Sequence, residues 1–287
     1  MQQNYDSEFF AFASDTSSKS AYSMVPLAIE QLCPTSVLDI GCGAGAWLKV
    51  FVDKGISDYL GVDGDYVDKS ALHIPYERFV AADLSLPLDL GRRFDMAVCL
   101  EVAEHIPERA ADTLIASISR HADAVLFSAA IPHQGGTNHV NEQWPSYWSE
   151  KFRRRGYRCF DSIRWTVWND PNVAWWFKQN TLIYLNNAAL ARLGDNSKLS
   201  RFETAEAPGI VHPTVYLSAL SAIPQIPAAA KIFGRAAQAS LRYHARRALV
   251  ALARSPATNS LAYDSEKERS PFGTEAEPCG VEDHMKS

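Results

Sequence analysis

The nine residues VLDIGCGAG, 37–45, constrain this chain more than any other stretch. A run of apolar and β-branched residues feeds a turn carrying Gly41, Gly43 and Gly45, and a helical pattern starts at once from Ala46. Glycines at such a turn let the backbone reverse tightly and leave no side chain between it and a ligand. The helix that follows presents unpaired N–H groups and its positive dipole end to that ligand. The pattern therefore predicts a strand–turn–helix unit built around a small-molecule site.

The surrounding pattern extends this unit into a domain. Val37–Ile40, Tyr59–Val62, Met96–Leu100 and Ala124–Ser128 read as buried parallel strands, and Tyr157–Phe160 and Leu182–Leu185 as later strands near an edge. Helical stretches such as 46–54 and 108–120 lie between them, and 21–32 reads as a helix ending at Cys33-Pro34. Alternating strands and helices imply an α/β fold with a mostly parallel sheet covered on both faces. With 287 residues the chain has room for one such domain and appendages. The expected division is an N-terminal helical segment over the ligand site (1–34), the α/β domain (35–190), a Pro/Ala-rich and helical extension (191–254) and a disordered tail (255–287).

Three acids stand in register with the turn. Asp39 lies two residues before Gly41, where a carboxylate repels a pyrophosphate but suits a cationic amino group. The GxGxG turn also lacks the GxGxxG spacing of dinucleotide-binding folds. Asp63, in GVDG, ends the next strand, where it can accept bonds from ribose hydroxyls. Asp83-Leu84, in AADL, sits where a loop can meet an adenine amino group.

A second constellation follows the Met96–Leu100 strand. Placed on a helical turn, Glu101, Glu104 and His105 would share one face at i, i+3 and i+4. Two carboxylates side by side need compensation, from a divalent cation or from a shared proton. Past the Ala124–Ser128 strand, the loop IPHQGGTNHVNEQW brings His133, His139, Asn141 and Glu142 toward the same edge of the sheet, and Trp144-Pro145 opens the next helix.

VLDIGCGAG, GVDG, AADL and FDMAVCLEVAEHIP together resemble class I S-adenosylmethionine-dependent methyltransferases over about residues 35–185. The resemblance implies a Rossmann-like seven-stranded sheet whose last strand is antiparallel. It implies that Asp39, Gly41 and Gly43 sit by the methionine part of S-adenosylmethionine, that Asp63 holds its ribose and Asp83 its adenine, and that Gly45 and Leu84 also belong to the cofactor site. The ExxEH element with a downstream His in an HxNExW context is similar to metal-dependent hydroxyl methyltransferases. That similarity implies Glu101, Glu104, His105 and His139 as ligands of Mg2+ or Mn2+. Without a metal, His139, His105 or His133 would serve as general base.

Composition narrows the acceptor. A net charge of -5 argues against a broad nucleic-acid-binding surface, and Trp144, Trp148, Trp165, Trp168, Trp175 and Trp176 offer flat amphipathic walls. The expected activity is O-methylation of a polar small molecule such as a sugar, nucleotide sugar or glycan intermediate. The alternatives are a metal-independent enzyme of phenolic or carboxylate metabolites and an inactive cofactor-binding partner subunit. Five scattered cysteines without CxxC spacing, no basic-then-apolar leader and no run of about 18 apolar residues make a cytoplasmic protein the expectation. Residues 228–254 read as a helix with Lys231, Arg235, Arg242 and Arg246 on one face. Such a stripe would pack on the domain, contact a second subunit in a homo-oligomer, or lie peripherally on an anionic surface.

Overall fold

The computed structural model describes residues 7–194, 198–222, 234–235, 237–238 and 240–245. The chain divides into two compact units, Met1–Ile223 and Pro224–Ser287. In the second unit the described residues are helical, with Arg235 and Arg242 exposed. Lys231 and Arg246, the rest of the expected basic stripe, and the tail 255–287 lie outside the described residues.

The first unit opens with helix α1 (Ser7–Leu32), which continues through Pro26 and stops where Cys33 turns left-handed ahead of Pro34. The elements then alternate: β1 (Ser36–Ile40), α2 (Ala46–Asp53), β2 (Asp58–Asp63), β3 (Phe79–Ala81), β4 (Phe94–Leu100), α3 (Ala111–His121) and β5 (Ala122–Ser128). The second half holds α4 (Pro145–Arg153), β6 (Tyr157–Phe160), α5 (Ile163–Val167), α6 (Trp175–Asn180), β7 (Leu182–Asn186) and α7 (Asn187–Leu193). Two short pieces, β8 (Glu203–Thr204) and α8 (Pro213–Ala222), close the unit.

The sheet has eight strands in the order β3-β2-β1-β4-β5-β7-β6-β8, one more than the seven expected. β8 adds the eighth as a two-residue antiparallel pairing on β6. β1 to β5 pair in parallel, and β7 runs antiparallel between β5 and β6. Strand alternation fills two cores. Val37, Met96, Val98 and Leu126 face α1, α2 and α6, while Leu38, Ile40, Cys99 and Phe127 face α3 and α4. Near-continuous apolar runs in β1, β4 and β5 follow from burial on both faces. Chain order reverses between β1 and β4, which places the crevice of such a sheet beyond the carboxyl ends of those two strands. No helix among the described residues is long and apolar enough to cross a membrane.

Candidate active site

A cavity of about 1530 Å³ opens at this switch point. Its donor half is built by the glycine turn. Gly41, Gly43 and Gly45 have φ of 83°, 53° and 86°, all in the left-handed region that L side chains avoid. Gly41 also lies against the next functional turn: a Cβ there would overlap Cγ2 of Val102 and sit 2.8 Å from its Cγ1. Its N–H donates to the Val62 carbonyl at 2.7 Å, which locks the turn onto β2. Gly41 and Gly43 line the cavity, whereas Gly45 does not and acts as the left-handed N-cap of α2.

The acids divide the work. Asp63 lines the cavity at the end of β2 and accepts the Gly43 N–H at 2.7 Å, the Gly64 N–H at 2.6 Å and the Tyr66 hydroxyl. Burial raises its carboxyl pKa, and those bonds oppose the rise. Asp39 lies beneath the turn, 2% exposed, with Oδ2 lacking any partner. Burial, and then the Asp63 charge, push it well above the carboxylate range. Asp39 is not among the residues lining the cavity, so it stands behind the turn and not on the cavity wall. Asp83 and Leu84 line the far side, where Asp83 Oδ1 accepts from the Ser85 N–H at 2.8 Å and its hydroxyl at 2.6 Å.

The acceptor half departs from expectation at its start. Glu101, Glu104 and His105 do not share an α-helical turn. Glu101 leaves β4 with φ 54°, its N–H captured by the carbonyl and hydroxyl of Ser128, both at 3.1 Å. Only then does a 3-10 turn, Ala103–His105, begin. Glu101, Glu104, His105 and His139 all line the cavity, but among the described residues the cluster that could hold an ion is Glu104, His105 and His139, with ligand atoms within 4.8 Å of one another. Glu101 is bound instead to the amides of Gln134 and Asn180.

Glu104 is fully buried, and neither of its oxygens makes a well-formed hydrogen bond, although the backbone at Glu104 and Ala130 and the Glu101 carboxyl lie close to it. Burial, and then the charge of Glu101, push its carboxyl well above the usual range. His105 is driven down to about 4, by burial and then by His139, so its ring is neutral at physiological pH. Its Nδ1 also lacks a partner. The two rings stand edge to face, with centroids 4.9 Å apart. His139 Nδ1 pairs with Glu142 Oε1 at 2.9 Å, which leaves Nε2 for a ligand. Glu142 also gathers the N–H groups of His133 and Gly135, and the N–H groups of Val140 and Asn141 bond the Glu104 carbonyl. The loop is thereby tied to the 3-10 turn.

His133 is exposed, with φ 66°, and is not among the residues lining the cavity. Of the six clustered tryptophans only Trp175 and Trp176 line it. Trp148 is buried against Phe127, while Trp144 and Trp165 are 44% and 57% exposed, so the aromatic wall is smaller than expected. Trp47 and Tyr66, which no sequence motif singled out, line the cavity too. Tyr66 follows Asp63 by three residues, a spacing that could have pointed to it.

A doubly wound sheet with a carboxylate-flanked glycine turn at its switch point defines a Rossmann-like fold with a nucleoside-type site. The family described as "Methyltransferase domain" matches residues 7–193, and the chain belongs to it. Curated relatives include ubiquinone biosynthesis O-methyltransferases. The one from Azorhizobium caulinodans is 32% identical over 81 residues, covering 25% of this chain and 30% of that protein. The one from Neisseria meningitidis serogroup A is 26% identical over 129 residues, covering 39% of this chain and 53% of that protein. The chain thus spans about a third and about half the length of these two relatives. Among solved structures, a sugar N-methyltransferase from Streptoalloteichus is 13% identical with a TM-score of 0.49, covering 63% of this chain and 93% of that one.

Proposed function

We propose that this enzyme transfers the methyl group of S-adenosylmethionine to a hydroxyl of a polar small molecule, a sugar, nucleotide sugar or glycan intermediate. The observation that carries the donor assignment is the left-handed glycine turn lining the cavity, with Asp63 beside it accepting the Gly43 N–H. Asp39 takes the charge of the donor's amino group, Asp63 accepts the ribose hydroxyls, and Asp83 with Leu84 borders the adenine. Tyr66, 53% exposed, now donates to the Asp63 oxygen that a ribose hydroxyl would take over.

The acceptor half supports a hydroxyl acceptor assisted by a divalent cation. Glu104, His105 and His139 fit an ion on their own chemistry: an orphaned carboxylate, an orphaned imidazole nitrogen, and a second imidazole oriented by a carboxylate. They would hold Mg2+ or Mn2+, which would supply Lewis acidity toward the acceptor hydroxyl. The residues of the chain do the rest. The glycine turn and α1, through Ser17, close one wall of the cavity, and Trp175 and Trp176 another. Alignment puts the acceptor oxygen in line with the S–CH3 bond. As the O–CH3 bond forms, the sulfur keeps the electron pair of the breaking bond, and the hydroxyl proton leaves to base. The His139–Glu142 pair also suits general-base catalysis without an ion, which keeps a phenolic acceptor as a second reading.

Labelled S-adenosylmethionine offered with a panel of sugars, nucleotide sugars and phenols, with Mg2+, Mn2+ or chelator, tests this. The expected result is transfer to a sugar hydroxyl that chelator abolishes. Transfer confined to phenols and indifferent to chelator would overturn the sugar and metal assignments.

A further inference from the structure

Behind Glu101 lies a chain of three amides whose polarity is fixed at both ends. The Ile131 backbone N–H donates to Gln134 Oε1 at 3.2 Å. A backbone N–H can only donate, so this oxygen is the acceptor and Gln134 Nε2 is the group that faces Glu101 Oε2, at 3.1 Å. At the other end the His212 N–H donates to Gln179 Oε1 at 2.7 Å. Gln179 Nε2 must then be the donor, and it reaches Gln134 Oε1 and Asn180 Oδ1, each at 3.0 Å. With Oδ1 taken, Asn180 turns Nδ2 toward Glu101 Oε1 at 3.1 Å and toward Gln134 Oε1 at 2.9 Å. Two unambiguous donors thus orient every amide between them, and each amide that reaches Glu101 meets it with N–H groups. Glu104, which also lines the cavity, receives no side-chain amide.

We propose that Asn180 and Gln179 are positioning residues for methyl transfer, holding Glu101 as a fixed hydrogen-bond acceptor for the hydroxyl of the incoming acceptor. This rests on the reading of the cavity as a hydroxyl methyltransferase site. Gln179 and Asn180 are buried and neither lines the cavity, so they act through Glu101 and Gln134. The strained φ of Glu101, at 54°, is what aims its side chain at α6 from the end of β4. The anchor at His212 is itself held. Arg164, fully buried and paired with Asp161 at 2.8 and 2.7 Å, donates to the Gln179 carbonyl at 3.1 Å and the Pro208 carbonyl at 3.0 Å. The segment 208–212 is thereby clamped over α6, and the amide chain carries its position to the acceptor site.

The test compares Asn180→Ala with Asn180→Asp in the full-length enzyme. Asp keeps the shape of Asn but replaces the donor with a carboxylate facing Glu101. The positioning role predicts that kcat for the best panel acceptor falls about 10- to 100-fold in N180A and further in N180D. The affinity for S-adenosylhomocysteine, by calorimetry, stays within about twofold in both variants. Crystal structures with S-adenosylhomocysteine bound should show the Glu101 carboxylate displaced in N180D. A purely structural role predicts that kcat in each variant falls only in step with its thermal midpoint while the Glu101 carboxylate stays where it is in wild type, and that outcome would overturn the proposal. If wild type methylates no hydroxyl compound, the underlying activity reading fails, while the position of Glu101 in the two variant structures still decides the positioning claim.

Discussion

Gly41→Ala tests how the donor turn and the acceptor turn are joined. At φ 83° an L side chain costs about 1–2 kcal/mol. The added methyl would also overlap Cγ2 of Val102 and stand 2.8 Å from Cγ1, an overpacking that costs about 1–3 kcal/mol. G41A should therefore lose roughly 2–5 kcal/mol, the sum of those two costs. V102A alone removes two buried methyl groups and should lose about 1–2 kcal/mol. The double variant abolishes the overlap but keeps the backbone cost, so its loss should fall short of the sum by about 1–3 kcal/mol. Urea unfolding measures all four proteins, with equal slopes confirming that the unfolded reference is unchanged. Losses that add within about 0.5 kcal/mol would refute the contact between the two turns.

Asp39→Asn should move stability and donor binding in opposite directions. The folded carboxyl is raised, so its contribution is complete below a pH of about 4 and is lost as pH rises through the folded value. D39N escapes that loss: its stability advantage over wild type should widen as pH rises above about 4 in urea unfolding. The donor should bind it about 10- to 100-fold more weakly, because a charged hydrogen bond worth about 1.5–3 kcal/mol is gone. Glu104→Gln should weaken Mn2+ binding, read by electron paramagnetic resonance, at least about tenfold. Gly136→Ala places a methyl onto the His139 ring; it should weaken Mn2+ binding while leaving S-adenosylhomocysteine affinity unchanged.

What the sequence revealed of this molecule was what neighbouring residues determine. The glycine turn, its strand and Asp63 at the end of β2 follow from local apolar pattern and turn chemistry. β3 and β8 escaped because three and two residues carry no periodicity. The spacing of Glu101, Glu104 and His105 suggested one helical face, yet the Ser128 carbonyl and hydroxyl, 27 residues away, capture the Glu101 N–H and turn that residue left-handed. His133 and His139 look equivalent in the loop, but Glu142 accepts from the backbone of the former and from the ring of the latter, so only one ring reaches the cavity. The amides behind Glu101 come from positions 33 and 79 residues along the chain, a distance over which no local pattern speaks.

The central claim is that the carboxylate-flanked turn at the head of α2 grips a sulfonium nucleoside. Titration calorimetry of the purified chain against S-adenosylmethionine and S-adenosylhomocysteine measures it directly. The account predicts one site per chain for both, with binding weakened in D39N and no uptake of NADH. Heat from NADH with none from either adenosyl compound would contradict it.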